Sequence, residues 1–274
     1  ENVPKPESIW FSPLMPTEQK PLSQKFCSLI KACMLSRING IVLQTVKYSE
    51  NSLIVKIYTE QKGLQSYFIN SVKSKKSRFK QVYFQPLTIL EYVATDSGKR
   101  DIHSIREISI NPPYKTIPVD ISKSSQALFI AEVLTKVLKE SEPNYSLYCF
   151  IKGSLEFLDN MSKANADFHL LFLIDLAVHL GFAPLNNYSA DSCHFNMAEG
   201  KFEKHRIAGI TYIEEPLSRL FSEILNSTYE QGQSLRLNYG QRKELLMKIL
   251  EFFRIHISSF GYCHSQAVLE EVFQ

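Results

Sequence analysis

Between Gln61 and Leu90 the chain has no aspartate and no glutamate, although it carries 28 acids among its 274 residues. Other absences narrow its class. No apolar run approaches the roughly 20 residues a bilayer span requires; the best, Leu170–Ile174, stops at Asp175. The five cysteines (Cys27, Cys33, Cys149, Cys193 and Cys263) are odd in number, scattered, and without a CxxC pair. That argues against a disulfide framework and fits a reducing cytoplasm. There is no GxGxxG, no GxxxxGK[ST], no HExxH and no GxSxG. With ten glycines in all, backbone cradles for phosphate are not expected.

An apolar fraction of 44% and a charged fraction of 22% are those of a folded protein. The formal net charge of +3 hides an asymmetry. Residues 34–110 hold twelve Lys/Arg against six Asp/Glu, whereas residues 111–274 hold fifteen against nineteen. The first part can meet a polyanion; the second cannot do so by charge alone.

The first 33 residues look foreign to the rest. They contain the only tryptophan and five of the twelve prolines, and they lack the pattern of a secretory signal. Regular patterning begins at Met34. The expectation is that Met34 is the natural start and that residues 1–33 are a mobile extension; a packed N-terminal strap is the alternative.

Residues 34–112 read as five strands. "SLIVKIYTE" sets Leu53, Val55 and Ile57 on one face, and "GLQSYFIN" alternates likewise. "RINGIVLQTV", "VYFQPLTILEYVAT" and "RDIHSIREISI" supply the others, with Pro86 implying an edge or bulge in the fourth. Five short strands leave costly edges unless they close. The expected fold is α+β: a five-stranded OB-type barrel, with an SH3-like barrel as rival. "NPPYKTIP" is a linker, and from residue 119 to 274 the period is helical. Asn144 is the expected cap of the second helix, Gly181 the stop of a buried central one. The stretch 186–206, "NNYSADSCHFNMAEGKFEKHR", reads as a small hairpin insert.

No constellation for catalysis stands out, and the expectation is a protein that is not an enzyme. Asp175 and His179 share a helix face. With no nucleophile beside them they read as structural, either hydrogen-bonded to each other or in contact with neighbouring helices. An enzyme assembled from distant residues is the rival class. Cys193–His194 and Cys263–His264, with His205, have the right atoms for zinc but the wrong spacing. Neither a metal nor another cofactor is expected.

The strongest local feature is the basic run from Lys73 through Lys75, Lys76 and Arg78 to Lys80. Serines 71, 74 and 77 are interleaved, and Tyr67, Phe68, Phe79, Tyr83 and Phe84 flank it. Cations along a phosphate backbone beside rings for bases are what single-strand binding on a barrel needs. Arg37 and Lys47 are weaker candidates. An OB-type RNA-binding or translation-associated module is the alternative to DNA.

These residues resemble the bacterial recombination mediator family RecO. The similarity lies in Gly40–Leu43, Tyr48–Glu50, Ser52–Val55, Thr59–Gly63, Lys73–Phe79 and Phe84–Leu87, and in the helix with its "LGFAP" continuation. The resemblance implies binding to single- and double-stranded DNA and annealing of complementary strands. It implies partnership with RecR and with the acidic C-terminal tail of single-strand binding protein, and indirectly with RecA. A bacterial cytoplasmic, nucleoid-associated location follows from the same likeness. Some members hold zinc with two CxxC pairs after that helix; this chain has one cysteine there, so the metal is not carried over.

Overall fold

The computed structural model describes residues 35–70, 79–95, 102–110, 113–229 and 237–274. The expectations for residues 1–33 and for Lys73, Lys75, Lys76 and Arg78 fall outside these. The described residues belong to one compact unit, Leu35–Gln274.

Five strands form the first half: β1 (Leu35–Lys47), β2 (Leu53–Thr59), β3 (Gly63–Ile69), β4 (Ile89–Thr95) and β5 (Ile102–Ile110). They close in the order β1-β2-β3-β5-β4 and back to β1. β3 and β5 run parallel, with Ser66 beside Ile102, and every other pair is antiparallel. This is OB topology rather than SH3-like. Strand β1 is long because it pairs with both β2 and β4; the register shift between Val42 and Gln44 is the bulge that turns it from one to the other. Gly40 lies at this crossing, where a Cβ would come within 2.4 Å of Ile57 Cγ2.

The barrel interior is filled by Ile38, Val42, Val55, Ile57, Leu90 and their neighbours. Tyr67 and Tyr92 also point inward, and the Tyr92 hydroxyl donates to that of Tyr67 at 2.8 Å. One strip of the outer wall, including Ile41, Leu43, Tyr58 and Ile89, belongs instead to the core of the helical half. That double burial explains why "INGIVL" lacks clean alternation.

The fourth strand is shorter than its sequence pattern predicts. Gln81–Phe84 is a 3-10 turn, and β4 begins only at Ile89. Phe84 drops into the barrel interior. Pro86 offers no N–H for a ladder, and Leu87 takes φ 64°. Four hydrogen bonds hold this stem. Thr45 Oγ1 donates to Phe84 O at 2.6 Å. Leu87 N donates to Val42 O at 2.6 Å, and Val42 N to Thr88 O at 3.0 Å. The Tyr114 hydroxyl donates to Leu87 O at 2.7 Å.

The second half contains α1 (Ile121–Val137), α2 (Tyr145–Asn160), α3 (Phe168–His179), α4 (Leu217–Leu225), α5 (Tyr239–His256) and α6 (Ser265–Val272). Asn144 caps α2 by accepting from Leu147 N. Gly181, at φ 86°, ends α3 with Gly181 N bonded to Val178 O and Phe182 N to Ala177 O, the paired closure expected at such a stop. β6 (His194–Asn196) and β7 (Lys201–Glu203) form the hairpin inside 186–206. The sequence pattern missed β8 (Tyr212–Ile213), which adds a third strand, and helix α6.

The residues between the halves are fixed by one carboxylate. Asp159 accepts from the N–H groups of Lys115, Thr116 and Ile117, at 2.8 to 3.1 Å. Beside it the buried Lys123 Nζ donates to Thr116 Oγ1 and to the carbonyls of Asp159 and Met161. Burial would raise the Asp159 pKa, but the backbone donors outweigh it and the carboxyl is held below its ordinary value. A folded pKa below the unfolded value of about 3.9 stabilises the fold above that pH and is lost as pH falls through the folded pKa. Asp159→Asn is therefore expected to lose less stability than the native chain between about pH 5 and pH 3, read as urea midpoints. Asp159→Ala, which takes the acceptor from three backbone donors of which the Ile117 N–H is buried, should cost about 1–3 kcal/mol at neutral pH.

Candidate nucleic-acid interface

The acid-free stretch begins in the β2–β3 turn and ends in β4. It thus takes in β3, the basic connection and the clamped stem. Of the eight sequence-predicted site residues, Arg37, Lys47, Phe79 and Lys80 are described. Lys80 is exposed and immediately precedes the 3-10 turn. Lys47 is exposed at the end of β1. Among the described residues neither has an ion pair. The bond from Thr45 to Phe84 O lays the end of β1 beside the stem of the loop. Arg37 lies nearer the other end of β1, where its Nη1 meets Glu91 Oε1 at 3.0 Å. Such an exposed pair contributes about 1 kcal/mol at most, but Glu91 neutralises much of what Arg37 offers a phosphate.

The flanking aromatics divide. Tyr67 and Phe84 are interior residues and cannot stack on a ligand; the alternation that buries Ile69 also buries Tyr67. Phe79 is half-buried, its ring 6.5 Å from Phe84. Phe68 faces outward, and its ring meets that of Tyr48 edge to face at 5.5 Å. Tyr48 is 68% exposed and absent from the sequence-predicted site. Its one signal was an aromatic at the head of the turn "YSENS".

The other candidates resolve into structural roles. Asp175 bonds the Tyr229 hydroxyl, and burial raises its pKa. His179 stacks on Phe150 with ring centres 4.5 Å apart. Burial pushes the Cys263 thiol up to about 11. The N–H groups of His264 and Ser265 donate to the Glu132 carboxylate, fixing the start of α6 against α1. Among the described residues no group of three or more His, Cys, Asp or Glu is placed to hold a metal. None of the described helices is long and apolar enough to cross a membrane.

A second surface was not visible in the sequence. A groove of about 590 Å³ runs between β1, α1 and α6, lined by Leu43, Pro86, Leu128, Ala131 and Val268 and by the ion pair of Lys136 with Glu132 at 3.5 Å. Its walls come from parts of the chain more than 200 residues apart, so no local pattern announces it.

An OB-type barrel seated on a helical half is an architecture that nucleic-acid-binding proteins commonly use. The family pattern described as "Recombination protein O N terminal" matches residues 34–114, and "Recombination protein O C terminal" matches residues 118–261. Among similar curated proteins, the DNA repair protein RecO of Flavobacterium psychrophilum is 35% identical over 242 residues. That of Bacteroides fragilis is 34% identical over 242 residues, and that of Phocaeicola vulgatus 30% over 240. Each alignment covers 88% of this chain and all of the relative. The chain belongs to the recombination protein O family of DNA repair proteins.

Proposed function

We propose that this chain is a non-enzymatic recombination mediator. It binds single- and double-stranded DNA, anneals complementary strands, and helps load a recombinase onto strands coated with single-strand binding protein. The barrel, residues 34–112, holds DNA through Lys73, Lys75, Lys76, Arg78, Phe79 and Lys80, with Arg37 and Lys47 contributing less. The helical half, residues 119–274, docks partners. These are RecR, the acidic tail of single-strand binding protein and, indirectly, RecA, at the nucleoid of a bacterial cytoplasm.

The observation that carries this reading is the thirty-residue stretch without a carboxylate, fastened to a closed barrel by a clamped stem. Two complementary strands repel through their phosphates, and cations between them lower that barrier without covalent chemistry. Competition between DNA and RNA oligonucleotides of one sequence tests the substrate. DNA should bind at least as tightly as RNA; a clear preference for RNA would point to the translation-associated alternative.

The groove supports the partner assignment. Leu128 and Val268 are 49% and 44% exposed, and an apolar lining beside the Lys136–Glu132 pair suits the apolar residues of a short peptide. Leu128→Glu in the full chain should weaken a labelled tail peptide at least tenfold while DNA affinity holds. An unchanged peptide affinity would remove the groove from the account.

A further inference from the structure

The seam between the barrel and the helical half is tight at Gly63 and open a few residues away. Beside Tyr58 of β2, a pocket of about 250 Å³ lies between the α1–α2 connection and the end of α3. We propose that it seats the side chain of an arginine presented by a partner protein. The pocket shares no residue with the groove, and the inference stands independently of the DNA-binding reading.

The pocket has the two characters a long cationic side chain needs. Tyr58, Leu138, Leu147 and Leu180 give apolar surface for its stem, and Glu140 and Glu142 give carboxylates for its head. Both glutamates are exposed and have no ion pair among the described residues. Lys139 is the one Lys or Arg that lines the pocket, against two carboxylates. The remaining titratable group, His179, lies 3.5 Å from Ser146 Oγ and stacks on Phe150. The volume falls below the roughly 300–1,000 Å³ usual for small-molecule sites, and matches one inserted side chain better.

Tyr58 sits in the core with its hydroxyl unused. The residue is 3% exposed, yet the hydroxyl makes no hydrogen bond among the described residues. It is not sealed in, as the unpartnered hydroxyl of Tyr148 is; it opens on the pocket. A buried polar atom without a partner is costly, and here a partner can arrive from outside. Burial, and then the Glu140 carboxylate, pushes the phenol up to about 12. It therefore stays neutral near pH 7, its oxygen able to accept from a guanidinium N–H and its proton able to go to a carboxylate. Arginine suits this set better than lysine: a planar fork reaches several acceptors at once and lies against an aromatic face, whereas an ammonium is a strongly hydrated point charge.

A phosphate backbone is excluded by the same two glutamates. Position agrees with a protein occupant. Thr59 pairs with Gly63 at the turn end of the β2–β3 hairpin, and Leu53 with Ile69 at the other. The basic connection leaves from the second end, about 20 Å away along the strands. A partner held in the pocket thus leaves the loop cations free. Tyr145 and Val178, both exposed, adjoin the pocket residues Asn144 and His179 in sequence. They offer the surrounding contacts that keep water from a buried arginine anchor.

The test is isothermal titration of the full chain with four probes: a blocked Gly-Arg-Gly peptide, its citrulline and lysine counterparts, and spermidine. The arginine peptide should bind at least tenfold tighter than the citrulline peptide, which keeps the shape without the charge, and tighter than the lysine peptide or spermidine. Glu140→Gln combined with Glu142→Gln should weaken the arginine peptide about tenfold or more. Tyr58→Phe, which keeps the ring and its packing, should weaken it about fivefold. Glu244→Gln, which removes an exposed acid on α5 without an ion pair, should change nothing, and all these variants should bind a single-stranded oligonucleotide as the native chain does. No binding of the arginine peptide at roughly millimolar concentration, equal affinity for the citrulline peptide, or an equal loss in Glu244→Gln would overturn the pocket as an arginine site. Spermidine binding tighter than the arginine peptide would overturn the choice of a protein partner.

Discussion

Replacing Lys73, Lys75, Lys76, Arg78 and Lys80 together with alanine is expected to flatten the salt dependence of single-strand affinity by roughly 2–3 units in log–log slope. Each phosphate that a cation neutralises releases condensed counterions and contributes about −0.7 to the slope for a single strand. Four engaged side chains therefore account for the change. The same substitution should leave the thermal midpoint close to native. Lys80 is exposed; it gives the stem only its backbone carbonyl, bonded to Tyr83 N, which alanine keeps, and the side chains and backbone of Thr45, Val42 and Tyr114 supply the other bonds. Fluorescence anisotropy of a labelled strand across a salt series measures the effect. A slope unchanged in the variant would mean that the loop does not touch DNA, whatever the family of the chain.

The second large effect concerns how the barrel is seated. Gly63→Ala is expected to destabilise the chain by roughly 3 kcal/mol or more. Gly63 takes φ 61° where the β2–β3 turn enters β3, a conformation that costs an L-residue about 1–2 kcal/mol. A Cβ there would also come within 2.3 Å of the Glu142 carbonyl oxygen, part of the backbone joining α1 to α2. The clash cannot be relieved by a side chain. The turn would have to retreat from the helical half, breaking the bond from Leu64 N to Glu140 O at 3.0 Å and exposing Tyr58 and Leu64. The control is Gly153→Ala: Gly153 lies on the exposed side of α2 with nothing within 4 Å of its would-be Cβ, and alanine there should gain about 0.5–1 kcal/mol. Urea unfolding of the two variants separates a general glycine effect from the seam.

The barrel could be read from the sequence because its signals are local. Leu53, Val55 and Ile57 alternate with outward residues, and turn residues fall between the strands. Caps were equally legible, since Asn144 and Gly181 act within one helical turn. What escaped depends on partners distant in sequence. Gln81–Phe84 has strand-forming residues, but Thr45 and the barrel interior hold Phe84 in a turn. Helix α6 starts where Glu132, more than 130 residues earlier, binds the backbone of His264 and Ser265. The candidate site divided in the same way. The basic run is a property of sequence alone. Which flanking rings face solvent depends on strand parity, and parity placed Tyr67 inside and Phe68 outside. Arg37 looked free until β4 brought Glu91 beside it.

The central claim is that cations on the β3–β4 connection screen phosphate so that matching strands meet. Its most direct test is the annealing rate of complementary oligonucleotides coated with single-strand binding protein, with the native chain and with the variant lacking the five loop cations. The native chain is expected to anneal the strands rapidly, and a variant folded to the native extent to return toward the uncatalysed rate. Annealing at the native rate without those five charges would contradict it.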